Sequence, residues 1–213
     1  MTNNTIESNN KATTPAALDW TGNKQSSFCI LGASNHSYHE REQHDYYATD
    51  PKAVRALLKK EAFSHRILEP ACGEGHISKE LERAGYDVTS TDLIYRGYGS
   101  TIPHDFLASE TATFYGDIVT NPPYKYASKF VQKAIETVAD GHKVAMLLKL
   151  LFLESKGRKA LFERYPPTRI HVFSERIPCA LNGDFEHITS SAVCYAWFVW
   201  EKGFTGNPQI DWI

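Results

Sequence analysis

Arg66-Ile67-Leu68-Glu69-Pro70-Ala71-Cys72-Gly73-Glu74-Gly75 contains the strongest indication of the fold class. Its first residues predict a β-strand, which ends in a glycine-rich turn. The next residues, His76 to Ala84, have the amphipathic spacing of a helix, and Gly85 is a typical helix end. Glycines at 73 and 75 allow the backbone to approach a ligand closely beside the start of that helix. The stretch therefore predicts the first strand-turn-helix unit of an α/β fold.

Further strands and helices are predicted to alternate along the chain. Strands are predicted at Asp87 to Asp92, Phe114 to Thr120, Lys143 to Leu148, Arg169 to Phe173 and Ala192 to Trp200. Helices are predicted over Lys125 to Val138 and after Asp50-Pro51, which form a good N-cap and first-turn pair. This alternation predicts a doubly wound α/β sheet.

The C-terminal third is expected to be less regular. Ser174 to Ser191 is predicted to be a long polar loop, and Gly203 to Ile213 a short tail. The aromatic strand Ala192 to Trp200 is expected to close the sheet as its last, edge strand. Lys156 and Arg158 belong to a basic stretch that suits either a nucleic-acid groove or a solvated helix.

The composition predicts a single globular domain. Of the 213 residues, 42% are hydrophobic, which is enough for a sizeable core. We expect residues 1–27 to form a disordered arm rich in Asn, Thr and Ser, and residues 28–213 to form one domain. The arm lacks the apolar segment of a signal peptide, and no apolar run approaches the roughly 18 residues that span a bilayer. A cytoplasmic protein without membrane contact is expected.

Charge and cysteine usage narrow the functional classes. The net charge of −2 excludes a uniformly basic nucleic-acid binder but is compatible with local basic clusters. There is no CxxC pair, so neither a disulfide framework nor a zinc ribbon is predicted for the four cysteines, Cys29, Cys72, Cys179 and Cys194. Cys29 and the nearby histidines match no standard zinc spacing, so no metal site is predicted.

Asn121-Pro122-Pro123-Tyr124 carries the most specific chemistry of the chain. It follows a predicted buried strand, and the proline after Asn121 holds that residue extended. The two prolines lack backbone N–H donors, which leaves the Asn121 side-chain oxygen and the Pro122 carbonyl as neighbouring acceptors. Tyr124 adds an aromatic face. Together these groups predict a site for a flat ligand that carries an exocyclic amine.

Asp92 stands at the tip of the second predicted strand. A carboxylate in this position, after a glycine-rich loop on the first strand, accepts hydrogen bonds from both hydroxyls of a ribose. A turn aspartate that faces solvent is the alternative. The glycine-rich loop makes ribose binding the favoured interpretation.

The chain resembles the S-adenosylmethionine-dependent amino-methyltransferases that modify the N6 position of adenine. Asn121 to Tyr124 match the family motif of Asn or Asp, two prolines and an aromatic residue at every position. Glu69 to Gly75 resembles the Asp-Pro-Ala-Cys-Gly-x-Gly cofactor loop, with glutamate in place of the aspartate. Tyr195 to Trp200 is similar to a segment of small phage-type and bacterial DNA methylases.

The resemblance covers about residues 45–203 and implies the seven-stranded class I methyltransferase fold with an antiparallel last strand. It implies transfer of a methyl group from S-adenosylmethionine to the N6 amine of adenine in DNA, after base flipping. The implied catalytic residues are Asn121, Pro122, Pro123 and Tyr124, the last stacking on the base. The implied cofactor-binding residues are Tyr47, Thr49, Glu69, Ala71, Cys72, Gly73, Gly75, Asp92, Leu93, Asp105, Phe106 and Asn121.

Two sets of implied contacts have structural alternatives. Asp105 would accept from the cofactor adenine, or it would cap the next helix. Basic side chains beside a catalytic loop suit phosphates, although such a stripe is also a common solvated face. The side chains expected to contact nucleic acid are Lys125, Lys129, Arg176 and His187.

Other functions remain open from the sequence. RNA adenine-N6 and protein-glutamine N5 methyltransferases use the same tetrapeptide, because an amide nitrogen poses the same electronic problem. A nicotinamide dehydrogenase would explain the glycine loop and Asp92 but not the Asn-Pro-Pro-Tyr motif. A module that binds cofactor or DNA without turnover is the non-enzymatic alternative. The target sequence and the oligomeric state are not determined by these motifs.

Overall fold

Two β-sheets and four α-helices make up the part of the chain that the computed structural model describes, which is residues 46–181 and 193–213. The strands are β1 (Tyr47–Thr49), β2 (Arg66–Glu69), β3 (Asp87–Ser90), β4 (Asp117–Thr120), β5 (Lys143–Lys149), β6 (Arg169–Val172), β7 (Cys179–Leu181), β8 (Tyr195–Glu201) and β9 (Gln209–Trp212). The helices are α1 (Pro51–Leu58), α2 (His76–Arg83), α3 (Ala127–Thr137) and α4 (Lys159–Arg164). The expected arm, residues 1–27, and the segment with Cys29 lie outside the described residues.

The larger sheet has seven strands in the order β3-β2-β4-β5-β8-β6-β9. The first four run parallel, so their carboxyl ends meet at one edge. β8 lies antiparallel between β5 and β6, and β9 pairs in parallel with β6. The seven-stranded doubly wound α/β sheet is thereby confirmed. The expected antiparallel last strand corresponds to β8, but a further strand, β9, follows it in the chain and pairs in parallel with β6.

Two predictions for the end of the chain were wrong. The aromatic strand β8 is central and not an edge strand, which explains why Trp197, Phe198 and Trp200 are almost completely buried. The predicted tail contains the edge strand β9. An edge strand pairs on one side only and is less buried than a central strand, as the exposed Ile210 and Trp212 show. Its sequence therefore lacks the strong apolar pattern by which a buried strand is predicted.

The predicted loop from 174 to 191 contains a short strand. β7 pairs antiparallel with β1 in a separate two-stranded sheet, with Thr49 opposite Cys179 and Tyr47 opposite Leu181. Three residues are too few to show the alternation by which strands are recognised, so this pairing was missed. Residues 182–192, which include His187, lie outside the described part of the chain.

Apolar side chains cover both faces of the larger sheet. On one face α3 contributes Phe130 and Val131, and on the other α1 contributes Val54 and Leu57. The predicted helix start at α1 is confirmed, because Asp50 accepts a hydrogen bond from the Lys52 backbone N–H at 2.8 Å. No helix among the described residues is long and apolar enough to cross a membrane.

A buried carboxylate lies at the amino ends of β5 and β6, at the opposite end of the sheet from the carboxyl edge. Glu61, 4% exposed, accepts hydrogen bonds from Lys143 Nζ at 3.0 Å, His171 Nε2 at 3.0 Å and the Arg169 guanidinium. Burial opposes ionisation, but the hydrogen bonds from His171, Arg169 and Lys143 outweigh it and lower the pKa of Glu61 from 4.5 to about 2. We call these four residues the Glu61 cluster.

Candidate active site

A cavity of about 380 Å³ opens at the carboxyl edge of the parallel strands. Binding clefts are expected there in open α/β sheets. From the first predicted motifs it gathers Tyr47, Thr49, Glu69, Ala71, Cys72, Asp92 and Leu93. From the later motifs it gathers Asp105, Phe106, Asn121, Pro122, Pro123, Tyr124 and Lys125. Segments that are far apart in sequence thus line one cavity.

The two glycines after β2 have left-handed backbones, with φ of 54° at Gly73 and 77° at Gly75. A Cβ on Gly73 would lie 2.3 Å from the Tyr46 ring, and one on Gly75 would lie 2.3 Å from the Tyr98 ring. Neither glycine is part of the cavity lining. Their role in this structure is to let the loop turn sharply beneath the two tyrosine rings and begin α2.

Asp92 ties the loops around the cavity together. One carboxylate oxygen accepts from the Gly73 backbone N–H at 2.8 Å, and the other accepts from the Ile94 N–H at 2.9 Å. Arg96 Nη1 lies 3.3 Å from the same carboxylate. Each carboxylate oxygen can accept more than one hydrogen bond, so these contacts orient Asp92 and leave capacity for a ligand hydroxyl.

Glu69 uses part of its hydrogen-bonding capacity to accept from α2, the helix that follows it. Its side chain is 1% exposed, and one carboxylate oxygen accepts from the Ser78 backbone N–H at 2.8 Å and from the Ser78 hydroxyl. Burial raises the pKa of Glu69 well above its ordinary value, although the Ser78 hydrogen bonds act in the opposite direction. The carboxylate therefore caps α2 from within the sheet, a role that the sequence did not indicate.

The Asn121 amide is held by the segment before α1. Its Nδ2 donates to the Tyr47 carbonyl at 2.9 Å and to Thr49 Oγ1 at 3.1 Å. Its Oδ1 is buried and has no hydrogen-bond partner among the described residues. The neighbouring Pro123 carbonyl accepts from the Tyr126 N–H at 2.9 Å, whereas the Pro122 carbonyl receives no such bond within the described chain. The site thus presents two adjacent oxygens that are available as acceptors.

Tyr124 is half-buried beside these acceptors. Its ring centre is 5.3 Å from that of Tyr47 and 6.0 Å from that of Tyr195. Lys149 Nζ lies 4.4 Å from the centre of the Tyr124 ring. Burial raises the pKa of the Tyr124 phenol well above its ordinary value, so the hydroxyl is neutral at pH 7. A ligand that stacks on this ring would have to share it with the Lys149 ammonium group.

Comparison with solved structures identifies the fold. A chain from Listeria monocytogenes, described as a class I S-adenosylmethionine-dependent methyltransferase, matches with a TM-score of 0.54 and 13% identity over 89% of this chain and 71% of that chain. This protein has the class I methyltransferase fold. At such low identity the likeness establishes the fold alone.

Two restriction-modification proteins also match the class I fold of this chain. A chain described as a modification subunit of a type I restriction enzyme from Vibrio vulnificus matches with a TM-score of 0.54 and 14% identity, over 79% of this chain and 47% of that chain. The type IIG restriction endonuclease BpuSI matches with a TM-score of 0.51 and 17% identity, over 85% of this chain and 28% of that chain. No protein-family model and no curated protein matches the sequence.

The basic side chains that were considered as nucleic-acid contacts lie in different environments. Lys125 lines the cavity and is exposed, and Lys129 is exposed one turn further along α3. Arg176 Nη1 contacts Cys194 Sγ, away from the cavity lining. Arg158 donates to the carbonyls of residues 151, 152 and 154, so it holds a turn together.

Asp105 and Phe106 also line the cavity. Asp105 accepts from the Leu107 N–H at 2.9 Å and the Ala108 N–H at 3.2 Å. It thus caps a turn and not the helix that the sequence alternative predicted, since no helix follows it before β4. Phe106 is buried and its ring centre lies 5.4 Å from that of Phe130. An additional ligand contact by the exposed Asp105 carboxylate remains a prediction.

Sequence reasoning missed three residues of this site. Tyr46 and Arg96 line the cavity, and the Arg96 guanidinium lies 4.5 Å from the centre of the Tyr46 ring. Lys149 reaches the site from the end of β5. Arg96 lies in a segment with Tyr95 and Tyr98, whose aromatic content could have drawn attention to it. Lys149 gave no local signal, because its approach to Tyr124 depends on strand order.

Proposed function

We propose that this protein transfers a methyl group from S-adenosylmethionine to the N6 amine of adenine in DNA. The observation that carries the proposal is the unpartnered, buried Asn121 Oδ1 at the cavity, next to the Pro122 carbonyl. An orphaned acceptor costs stability unless a ligand satisfies it. An exocyclic amine supplies two hydrogens, which is what two adjacent oxygens require.

A second group of residues that line the cavity fits S-adenosylmethionine. Asp92 is oriented by Gly73 and has acceptor capacity left for ribose hydroxyls. Phe106 offers a buried aromatic surface for the adenine ring, and the glycine turn leads into the N-terminus of α2. When bound, S-adenosylmethionine supplies an activated methyl group on a sulfonium. The class I fold supports the same cofactor.

Asn121 and Pro122 would activate the amine. The lone pair of adenine N6 is delocalised into the ring and is a poor nucleophile. Hydrogen bonds from both N6 hydrogens to the Asn121 and Pro122 oxygens favour sp³ geometry at the nitrogen and localise this lone pair. The same oxygens stabilise the positive charge that develops on the nitrogen during attack. Positioning in line with the methyl donor contributes further, and no metal and no strong base are required.

DNA is the proposed substrate for two reasons. The Pro-Ala-Cys-Gly loop and the aromatic β8 resemble those of phage and bacterial DNA enzymes, and two of the structural neighbours are restriction-modification proteins. The amine cannot reach a methyl donor inside a stacked duplex, so the base has to be flipped out. Lys125 and Lys129, exposed beside the cavity, are the proposed contacts to phosphates.

The experiment that tests this function offers S-adenosylmethionine with double-stranded DNA, single-stranded DNA or RNA. Mass spectrometry of the digested nucleosides then identifies the methylated product. N6-methyladenine in DNA is the expected result. Methylation of RNA alone would replace the substrate while keeping the chemistry. Measurable cofactor binding without transfer to any of these polymers would contradict the enzymatic proposal.

Tyr124 provides a test of base stacking. Stacking on an aromatic ring contributes about 1–3 kcal/mol per base. We therefore expect Tyr124→Ala to reduce kcat/KM for DNA by about tenfold to a hundredfold, and Tyr124→Phe to retain most activity because it keeps the ring. The measurement is steady-state methylation of both variants. Equal impairment of the two variants would show that the hydroxyl matters more than the ring.

A further inference from the structure

The Asn121 amide is chemically ambiguous, because its oxygen and nitrogen occupy almost the same shape. Rotation by half a turn about the last side-chain bond would exchange Oδ1 and Nδ2 with little change in packing. One orientation presents an acceptor to a substrate amine. The other presents N–H groups to N–H groups and would be unproductive. The site therefore depends on something that fixes the amide in one orientation.

Two acceptors on β1 fix it. The Tyr47 carbonyl accepts from Nδ2 at 2.9 Å, and a carbonyl oxygen can only accept. Thr49 Oγ1 accepts from the same nitrogen at 3.1 Å. A rotated amide would place Oδ1 against the Tyr47 carbonyl oxygen and would lose that hydrogen bond, whereas the Thr49 hydroxyl could turn and donate to Oδ1. The observed orientation is thus the one that leaves Oδ1 without a partner in the described chain.

The support for these acceptors is rigid. Thr49 is 2% exposed, and it lies opposite Cys179 in the antiparallel pair of β1 and β7. The next residue, Asp50, caps α1. The backbone of Thr49 is therefore held from both sides, by a strand pair and by a helix start. Such support is what a positioning group needs in order to act on its neighbour.

We propose that Thr49 is a positioning residue: the Tyr47 carbonyl selects the orientation of the Asn121 amide, and the Thr49 hydroxyl holds the amide in its catalytic position. This inference rests on the proposed function, since it concerns how the acceptor of that reaction is aimed. It assigns Thr49 a role toward Asn121 that differs from the cofactor contact implied by the resemblance. The hydroxyl accepts from Asn121 and still has its own hydrogen to donate.

The matched variants are Thr49→Val, which removes the hydroxyl and keeps a β-branched shape, and Thr49→Ser, which keeps the hydroxyl. Loss of one of the two hydrogen bonds is expected to lower kcat by about five- to tenfold, with KM for S-adenosylmethionine changed by less than about twofold. Thr49→Ser is expected to restore kcat. Unchanged kcat in Thr49→Val, or a raised KM for S-adenosylmethionine with unchanged kcat, would overturn the proposal.

A second measurement does not depend on activity. In nuclear magnetic resonance spectra of the protein labelled with nitrogen-15, the Asn121 side-chain amide can be assigned from the signal that Asn121→Ala removes. Its hydrogens are expected to exchange slowly with solvent, and at least about tenfold faster in Thr49→Val but not in Thr49→Ser. Equal exchange rates of the Asn121 amide hydrogens in the wild type and both Thr49 variants would refute the positioning role of Thr49. Slow exchange in a protein that methylates no substrate would instead refute the proposed function alone.

Discussion

Asn121→Ala is expected to lower the rate of methyl transfer by about a hundredfold to a thousandfold, which is the usual cost of removing one preorganised polar group from a transition state. The variant loses the oxygen that accepts from the amine, and the neighbouring Pro122 carbonyl cannot orient both hydrogens by itself. The resemblance also implies a cofactor contact for Asn121, but Asp92 and Phe106 supply the main proposed contacts and are unchanged, so we expect the affinity for S-adenosylmethionine to stay within about threefold of that of the wild type. Single-turnover methylation and calorimetric cofactor binding provide the two measurements.

Two variants sharpen this prediction. Asn207→Ala changes an exposed asparagine far from the cavity lining and should leave the rate unaltered. Asn121→Asp keeps an acceptor but replaces the Nδ2 donor with an oxygen that faces the Tyr47 carbonyl. We expect it to be less active than the wild type at pH 7. A fully active Asn121→Ala protein would remove Asn121 from the chemistry.

The Glu61 cluster gives the second large effect, on stability. Removing one partner from a buried set of charges leaves the others uncompensated, at a typical cost of about 3–5 kcal/mol. Glu61→Gln leaves Lys143 and Arg169 without their carboxylate. We expect it to lower the free energy of unfolding at pH 7 by about 3 kcal/mol, and Tm by about 6–12 °C. Urea and thermal denaturation measure both quantities.

The pH dependence follows from the direction of the Glu61 shift. Its pKa is about 2 in the folded protein against an ordinary value of 4.5, so the folded state favours the ionised form. The stabilisation is complete above about pH 5 and is lost as the pH falls from there towards 2. The difference between wild type and Glu61→Gln should shrink over this range. Glu154→Gln, at an exposed site, is the control and should show no such difference.

The sequence predicted the features that depend on neighbouring residues. The turn at Gly73 and Gly75 and the cap at Asp50 follow from local steric and hydrogen-bonding preferences. The two acceptor oxygens, on the Asn121 side chain and the Pro122 carbonyl, were predicted because the two prolines lack backbone N–H donors. The seven-stranded sheet followed from apolar periodicity together with the resemblance.

Features set by long-range pairing could not be predicted. The partners of Asn121 Nδ2 are 72 and 74 residues away, and Glu61 meets Arg169 over 108 residues. No local pattern contains such distances. The short strands β7 and β9 were missed for the same reason, since each is stabilised by the register of its partner. Lys149 reached Tyr124 only because β5 lies beside β4 in the sheet.

The central position of β8 has a consequence for how the protein folds as it is synthesised. β8 joins β5 to β6, although β6 precedes it by more than twenty residues in the chain. The parallel half of the sheet, from β3 to β5, can form while β8 is still inside the ribosome, but β6 cannot dock on it. During that interval the edge of β5 is open to pairing with other chains. We therefore expect the nascent protein to expose an unpaired β5 edge until β8 inserts.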